Sequence, residues 1–214
     1  LKNTFSTKNI VNCAGLNSDR IAKMMGLDYG VKIIPFRGEY YQIIKEKSFL
    51  LNSMVYPIPD PNLPFLGIHI TKTIDNNIIV GPNAVLAFGR EAYNNKQFSI
   101  SDIKDIISYD GFWKMMRLNS VRMKNEFIQS FSKGKFVEQA QNFIPNLKST
   151  DFQEGYSGIR AQLVDRNGKL VDDLIIKNQN NIIHILNAVS PGMTCSLPFA
   201  DYVVNNYVKN GIGN

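Results

Sequence analysis

His69 stands in a pattern that suits acid–base chemistry. It alternates with Ile68 and Ile70 along an apolar, β-branched run, so His69 and Thr71 share one face of the predicted strand. A histidine whose pKa lies near neutrality can accept the hydroxyl proton of an alcohol substrate. The residues alone leave a structural role for His69 equally open.

Arginines in predicted strands suit the binding of carboxylates. Arg160, in SGIRAQ, carries a permanent charge and can bind a carboxylate through two parallel hydrogen bonds. In a buried strand it needs an anionic partner, which is either a structural acid, Asp172 or Asp173, or the carboxylate of a bound ligand. Arg37, in FRGEYY, shares a face with Glu39, and we expect these two charges to neutralise each other.

Small-residue turns lead from a strand into a helix at two places. Cys13-Ala14-Gly15 follows a β-branched strand and leads into a helix that begins after Asn17 and ends at Gly26. A second turn lies in LNAVSPGMTCS, and Pro198 places the start of its helix near residues 194–196. The amides at the start of this second helix carry partial positive charge and could stabilise a reduced flavin. An ordinary strand-to-helix turn explains the second loop as well.

Strand patterns dominate the region before residue 82. Residues 31–45 predict one strand or two, broken at Pro35 and Gly38. A hairpin is predicted from residues 65–74 to 78–81, around an Asp-Asn-Asn turn. The elements that would position His69 and Arg37 are therefore strands.

Helical patterns follow, and strands then return. Residues 102–133 predict an amphipathic helix that either packs on the sheet or lays a basic face on a membrane surface. A second helix is predicted from about residue 135 to Pro145. The later strands are GYSGIRAQLVD, a returning LVDDLIIK, and IIHILNA, in which His184 is predicted to be a structural residue. In the helix predicted to begin after Asn17, we expect Ile21, Met24 and Met25 to form the apolar face.

Composition narrows the class of protein. The 214 residues are 44% apolar, with a net charge of +6 that is scattered rather than gathered in a basic tract, which argues against nucleic-acid binding. Two cysteines are too few for a disulfide framework or a zinc site, and they indicate a reducing, cytoplasmic compartment. No apolar run reaches the roughly 18 residues that a membrane span needs. No signal peptide is visible, and because the first residue is Leu1 and not a methionine, we expect a fragment of a longer protein.

Several segments together resemble one family, the FAD-dependent L-2-hydroxyglutarate dehydrogenases and oxidases of the D-amino-acid-oxidase-like flavoenzymes. The segments are NCAGLNSDRIAKMMGLD, IPFRGEYYQI, the specific block at 56–93, FIPNL, SGIRAQLVDRNGKLVDDLII and HILNAVSPGMTCSL. The resemblance implies the C-terminal portion of a two-domain FAD-dependent oxidoreductase of α+β or α/β class. It implies a partial FAD-binding domain, 1–30 with 152–214, and a mixed-sheet substrate-binding domain, 31–151. The Gly-rich strand–turn–helix that would hold the FAD pyrophosphate is not in this sequence.

The resemblance also implies an activity and a set of site residues. The activity is oxidation of L-2-hydroxyglutarate to 2-oxoglutarate with hydride transfer to FAD, and a quinone or oxygen takes the electrons. The implied catalytic residues are His69 and Arg160. The implied substrate-binding residues are Arg37, Thr71 and Gln162. The implied cofactor-binding residues are Cys13, Ala14, Gly15, Gly158, Ser190, Pro191, Gly192, Met193 and Thr194.

Other functions stay open at this point. One alternative is another amino-acid, hydroxy-acid or glycerol-phosphate oxidase of the same superfamily. A different alternative is a truncated, non-catalytic chain that binds a partner or a lipid surface. The expected location is cytoplasmic, with peripheral attachment to the inner surface of a membrane as a further expectation.

Overall fold

The structure is a computed structural model that describes residues 3–58, 67–120, 132–179, 181–188 and 192–209. Its strands are β1 (Ile10–Asn12), β2 (Val31–Ile43), β3 (His69–Lys72), β4 (Ile78–Gly81), β5 (Val85–Leu86), β6 (Phe152–Asp165), β7 (Ile175–Gln179) and β8 (Ile182–Asn187). Its helices are α1 (Ser18–Met24), α2 (Ile100–Ile107), α3 (Asp110–Leu118), α4 (Lys133–Gln141) and α5 (Ser196–Val203). Short 3-10 turns lie at Gly15–Asn17, Lys45–Leu50 and Ser149–Asp151, and a π turn, Val204–Val208, follows α5.

The described strands form two sheets. The larger has the order β3-β4-β2-β5, and β6 pairs antiparallel with β2 along nearly its whole length. The smaller has the order β1-β8-β7, in which β1 runs parallel to β8 and β7 runs antiparallel to it. The strands that carry the candidate catalytic residues, β3 and β6, both belong to the larger sheet.

β2 is one continuous strand of 13 residues, so the predicted break at Pro35 and Gly38 is wrong. Among the described strands, β2 is paired only with β6 at Pro35, because its pairing with β5 starts one residue later. On the side of β5, the carbonyl of Pro35 still accepts from the Ala87 backbone N–H at 3.0 Å, so the strand loses only the one hydrogen bond that a backbone N–H at this position would donate. Gly38 keeps its place in the ladder opposite Gly158.

The long helix predicted over 102–133 is two helices where the structure describes it, and residues 121–131 lie outside the described part. Tyr109 separates α2 from α3 with extended backbone, φ −99° and ψ 116°. Its hydroxyl lies 3.1 Å from the carbonyl oxygens of both Gly30 and Val164. Burial raises the pKa of Tyr109 to about 12. The tertiary contacts of this side chain therefore override the helical pattern of the sequence.

Several other predicted elements can be compared directly. The hairpin β3–β4, the helix α4, and the start of α5 with Pro198 in its first turn are confirmed. The predicted return strand LVDDLIIK is confirmed only in part. Leu170 bridges back to Val164 and the Val171 N–H donates to the Leu163 carbonyl at 2.9 Å, but the chain then leaves β6, and β7 pairs with β8. The amide of Asn187 bonds the carbonyls of Val171 and Asp173 at 3.1 and 2.7 Å, so a side chain and not a strand satisfies them.

The predicted apolar face of α1 is also wrong. Met24 is 80% exposed, and the residues that α1 buries are Ser18 and Ala22. Ala22 packs with Ile33 of β2, Leu163 of β6 and Leu186 of β8. A close approach to two sheets requires small residues, which explains why the methionines lie outside it.

Helices cover both faces of the larger sheet. Ile34 and Phe36 of β2 pack against α2 and α3, whereas Tyr41 and Ile43 pack against α4. Successive residues of a strand point to opposite faces, so these even- and odd-numbered positions lie on opposite sides of the sheet. Beyond Phe36, the face that α2 and α3 cover continues through Gly38 and Tyr40 of β2.

The boundary between the predicted domains crosses this sheet. β6, which begins at residue 152, pairs with β2 and is therefore part of the larger sheet, while Leu163 also packs with Leu186 of the smaller sheet. The division into 1–30 with 152–214 and 31–151 stays a prediction. In the described part of the chain, no helix is both long and apolar enough to cross a membrane.

Candidate active site

His69 and Tyr40 lie side by side on one face of the larger sheet. His69 pairs with Gly81 of β4, and a Cβ atom on Gly81 would lie 2.9 Å from Cδ1 of Tyr40. The neighbouring positions Ile70, Val80 and Tyr41 form the next row across the same strands and belong to the opposite face. Gly81 therefore separates the two side chains without filling the space between them.

Arg160 faces the same side. It pairs with Phe36, and the next pair along the ladder on that face is Gly38 with Gly158. A Cβ atom on Gly158 would meet no atom of the described residues within 4 Å, so the space above this glycine is open in the described part of the chain. The positive charge of Arg160 acts on the pKa values of both His69 and Tyr40, which places the three groups within electrostatic reach of one another.

Tyrosines complete this group of side chains. Tyr40 stacks on Tyr156 with ring centroids 4.7 Å apart, and Tyr56 stacks on His69 at 4.6 Å. A bulge in β6 sets two residues opposite Tyr40 and brings Tyr156 onto its face. We call His69, Arg160, Tyr40, Tyr56 and Tyr156 the His69 cluster.

The surroundings of His69 favour its neutral form. Burial lowers its pKa below the ordinary value, the charge of Arg160 lowers it further, and the Gly67 backbone acts in the opposite direction. Its Nδ1 atom is buried and has no hydrogen-bond partner among the described residues. A neutral imidazole with an unsatisfied ring nitrogen can accept a proton or a hydrogen bond from a bound molecule.

Arg37 is not brought to this cluster. It pairs with Ile159, one residue from the Phe36–Arg160 pair, so Arg37 and Arg160 point to opposite faces of the sheet. Its guanidinium bonds Glu39 at 2.8 Å and the carbonyls of Ala92 and Asn94 at 3.2 Å. The predicted neutralisation by Glu39 is confirmed.

The other predicted substrate-binding residues lie on the face of the His69 cluster. Thr71 is two residues from His69 on β3, and Gln162 is two residues from Arg160 on β6. The amide nitrogen of Gln162 lies 3.0 Å from the Leu163 carbonyl and 3.3 Å from the Val171 carbonyl. Gln162 thus bonds the chain beyond the turn after β6, and a contact with a substrate stays a prediction for both residues.

A cavity of about 650 Å³ lies between the smaller sheet and α5. Cys13, Gly15 and Gly192, from the two predicted cofactor turns, line it, as does Ala161, which follows Arg160 on β6 and points to the opposite face of the larger sheet. Gly15 adopts a φ of +52°, which favours glycine, and a Cβ atom there would meet no atom of the described part of the chain within 4 Å. The rest of the lining is mainly apolar and is formed by Val11, Ile185, Leu186, Asn187, Ala188, Ser196, Phe199, Ala200, Val203, Val204 and Val208.

The remaining predicted cofactor residues do not all lie at this cavity. Ala14 lies between two lining residues, and Met193 and Thr194 follow Gly192 in the turn before α5. Gly158 lies in the larger sheet beside the His69 cluster. The predictions for Ser190 and Pro191 fall outside the described residues.

Comparison with known proteins decides the family. The family model described as FAD dependent oxidoreductase (DAO) matches residues 2–205. The chain belongs to the DAO family of FAD-dependent oxidoreductases. The predicted resemblance and the predicted fold class are both confirmed.

Curated relatives of this DAO-family chain share one name. An L-2-hydroxyglutarate dehydrogenase of Indibacter alkaliphilus is 46% identical over 197 residues, which cover 92% of this chain and 49% of the relative. The protein of the same name from Escherichia coli strain K12 is 39% identical and covers 94% of this chain and 48% of the relative. A mitochondrial L-2-hydroxyglutarate dehydrogenase of Caenorhabditis elegans is 40% identical, with 96% and 48% covered. The chain thus spans about half the length of these relatives.

Solved structures share the fold at low sequence identity. An L-α-glycerophosphate oxidase from Mycoplasma pneumoniae with FAD bound gives a TM-score of 0.62 at 20% identity, covering 92% of this chain and 42% of that chain. A glycerol-3-phosphate dehydrogenase from Bacillus halodurans complexed with FAD gives 0.53 at 14% identity, covering 95% and 33%. These likenesses support the DAO fold of the chain.

The sequence pattern did not point to a buried ion-pair network in this DAO-family chain. Arg90, between β5 and α2, is bound by Asp19 of α1 through two hydrogen bonds of 2.6 and 2.8 Å. The Arg90 backbone N–H donates to Asp102, which also bonds Arg20 at 2.7 Å. Burial raises the pKa of Asp102, but the Arg90 N–H and the Arg20 charge together hold it below its usual value.

The network joins the start of α1 to the larger sheet. The signal for it was present in the FGREAY segment of the block at 56–93, because an arginine among apolar and small residues requires a buried partner. The tyrosines of the His69 cluster were also not predicted. They lie far apart in sequence, so no local spacing connects them.

Proposed function

We propose that this chain carries the substrate-oxidising site of an FAD-dependent L-2-hydroxyglutarate dehydrogenase. The observation that carries the proposal is the His69 cluster, in which a neutral imidazole with an unsatisfied Nδ1 lies within electrostatic reach of Arg160. A 2-hydroxy acid needs both groups, a cation for its carboxylate and a base for its hydroxyl. The shared name of the relatives supports L-2-hydroxyglutarate as the particular substrate.

Each of three residues of the His69 cluster has its own role in the proposed reaction. Arg160 binds the C1 carboxylate through its guanidinium fork and so fixes C2 above the open space at Gly158. His69 accepts the hydroxyl proton as the C2–O bond becomes a carbonyl. Tyr56, stacked on the imidazole, holds its plane and excludes water from one face. FAD, when bound, supplies the acceptor for the hydride that leaves C2.

The cavity between the smaller sheet and α5 fits the ring end of FAD. Its volume lies within the range of small-molecule sites, and its lining is mainly apolar, as a flat aromatic ring requires. Gly15 provides close backbone approach, and the start of α5 provides helix amides near the negative charge of a reduced ring. The residues that would hold the ring are therefore Cys13, Gly15, Gly192 and Ser196.

Finer assignments extend this proposal. Thr71 would contact the substrate beside His69, and Arg37 would act through the 92–95 loop that it holds. The electrons would pass to a quinone or to oxygen. The exposed apolar side chains of Ile107, Trp113 and Leu118 on α2 and α3 support peripheral contact with a membrane surface.

A substrate panel tests the function. The FAD-loaded protein that carries this chain is mixed anaerobically with L-2-hydroxyglutarate, its D enantiomer, glycerol 3-phosphate or L-amino acids, and loss of the visible flavin absorbance is followed. We expect rapid bleaching with L-2-hydroxyglutarate alone. Bleaching by glycerol 3-phosphate or an amino acid would assign another oxidase activity. If the purified protein carries no flavin and cannot be loaded with FAD, the chain is a binding module.

Arg160→Lys is expected to lower kcat/KM for L-2-hydroxyglutarate about 10- to 100-fold, because it keeps the charge but loses one charge-assisted hydrogen bond of the fork. Steady-state kinetics at fixed pH measures the change. Arg166→Lys is the matched control, since Arg166 pairs with Asp28 at an exposed site. An unchanged kcat/KM in Arg160→Lys would remove Arg160 from the substrate site.

Residues 1–214 alone are not expected to retain FAD. Two phosphates need backbone amides at a helix N-terminus to compensate their desolvation, and these residues contain no Gly-rich strand–turn–helix that would supply them. The purified chain is incubated with excess FAD and desalted, and its visible spectrum is recorded. A stoichiometric flavin band that survives desalting would contradict the prediction.

A further inference from the structure

Asn12 connects the end of β1 to the turn that lines the proposed flavin cavity. Its Nδ2 donates to the Ser18 carbonyl at 2.8 Å and contacts Nδ1 of His184 at 2.9 Å. Its Oδ1 accepts from the Ala14 backbone N–H at 3.1 Å. Asn12, Ser18 and His184 are all buried. This one amide therefore closes the Cys13-Ala14-Gly15 turn at both ends.

The backbone groups around Asn12 determine the protonation of His184. The Ser18 carbonyl can only accept and the Ala14 N–H can only donate, so Nδ2 must face Ser18 and Oδ1 must face Ala14. The second hydrogen of Nδ2 then points at His184 Nδ1, which must be an acceptor. This contact favours a neutral His184 with its proton on Nε2, an atom that is buried and has no hydrogen-bond partner among the described residues. Burial lowers the pKa of His184, which favours the neutral form.

The contact between Asn12 and His184 is linked to the proposed flavin cavity on two sides. Cys13 and Gly15 of the turn line the cavity, and Gly15 there adopts a φ of +52°. On the other side, Ser18 donates its hydroxyl to the carbonyl of Leu186, which also lines the cavity. A shift of Asn12 would therefore move lining residues of both β8 and the turn.

We propose that His184 is a positioning residue for the flavin site: through Asn12 it holds the Cys13-Ala14-Gly15 turn in the conformation that accepts the cofactor. The inference rests on the proposed function, since it needs the cavity to be a flavin site. His184 does not touch the reacting atoms in this role. It supplies the acceptor that keeps the Asn12 amide in the orientation that Ala14 requires.

FAD affinity tests the proposal in the FAD-binding protein that carries this chain. His184→Leu removes the acceptor and is expected to raise the FAD dissociation constant about 10-fold, the effect of one lost buried hydrogen bond. His184→Gln presents an amide oxygen to Asn12 and is expected to restore most of the affinity. Tyr29→Phe is the control, because Tyr29 packs its ring against His184 at 5.9 Å and its hydroxyl has no partner among the described residues.

Two readouts separate positioning from a merely structural role. The dissociation constant is measured where circular dichroism shows every variant folded, and the imidazole nitrogen shifts of His184, assigned by comparison with His184→Gln, report its tautomer. An unchanged dissociation constant in His184→Leu, or a proton on Nδ1 of His184, would overturn the proposal while leaving the proposed function intact. A wild-type protein that binds no FAD would overturn both.

Discussion

Replacing His69 with Asn is expected to lower kcat roughly 10²- to 10⁴-fold, the usual contribution of a general base, and to leave the FAD content unchanged. Asn can fill much of the space beside Tyr56, but it cannot take the hydroxyl proton at neutral pH. The effect falls on the chemical step because His69 lies on β3 of the larger sheet, whereas the proposed flavin cavity lies between the smaller sheet and α5. Anaerobic single-turnover reduction of the flavin measures that step directly.

A matched control lies three residues along the same strand. Lys72 pairs with Ile78 on the opposite face of the sheet, so Lys72→Met should leave the rate of flavin reduction within about twofold of wild type, the scale of an ordinary surface change. Normal turnover in His69→Asn would mean that another residue is the base.

The pH profile gives the same residue a second test. Burial and the charge of Arg160 lower the pKa of His69, so the acid limb of kcat/KM should lie at lower pH than it would for a histidine with the ordinary pKa. Arg160→Gln removes a positive charge that disfavours the imidazolium. The pKa of His69 should then rise, and the acid limb of kcat/KM should move to higher pH, whereas Arg160→Lys should leave the limb in place. If the acid limb of kcat/KM does not move in Arg160→Gln, the limb reports the titration of a group other than His69.

Local periodicity predicted what depends on neighbours in sequence. The alternation of Ile68, His69, Ile70 and Thr71 gave the correct faces of β3, because the two-residue period of a strand is a local property. The turn residues of the β3–β4 hairpin were predicted on the same basis. The helix start near Pro198 followed from the fixed φ of proline and its missing N–H.

Strand register determined what the sequence could not show. Arg37 and Arg160 are both plausible carboxylate ligands by type, and only the pairing of Phe36 with Arg160 shows that they face opposite sides of the sheet. The stack of Tyr40 on Tyr156 also depends on a bulge in β6, which no pattern in GYSGIRAQLVD predicts. Likewise, Tyr109 ends a helical pattern through contacts with Gly30 and Val164, both distant in sequence.

The buried network carries the second large expected effect, on stability. Arg90→Met is expected to lower the free energy of unfolding by about 3–5 kcal/mol, because it leaves the carboxylate of Asp19 buried without its positively charged partner. The Arg90 side chain is 4% exposed and that of Asp19 is 8% exposed, so water cannot replace the lost bonds without local opening. Since Asp19 lies in α1 and also accepts from the backbone N–H of Ile33, the loss should loosen α1 from β2. Urea unfolding of the FAD-free protein measures the change.

An exposed ion pair in the same chain provides the control for charge alone. Arg166 bonds Asp28 at 2.7 Å, but both side chains are about two-thirds exposed, at 65% and 68%. Arg166→Met should therefore change the free energy of unfolding by no more than about 1 kcal/mol. Adding Asp19→Leu to Arg90→Met removes the unpaired carboxylate and should recover part of the lost stability. If Arg90→Met costs no more than Arg166→Met, the buried network does not hold α1 against the larger sheet.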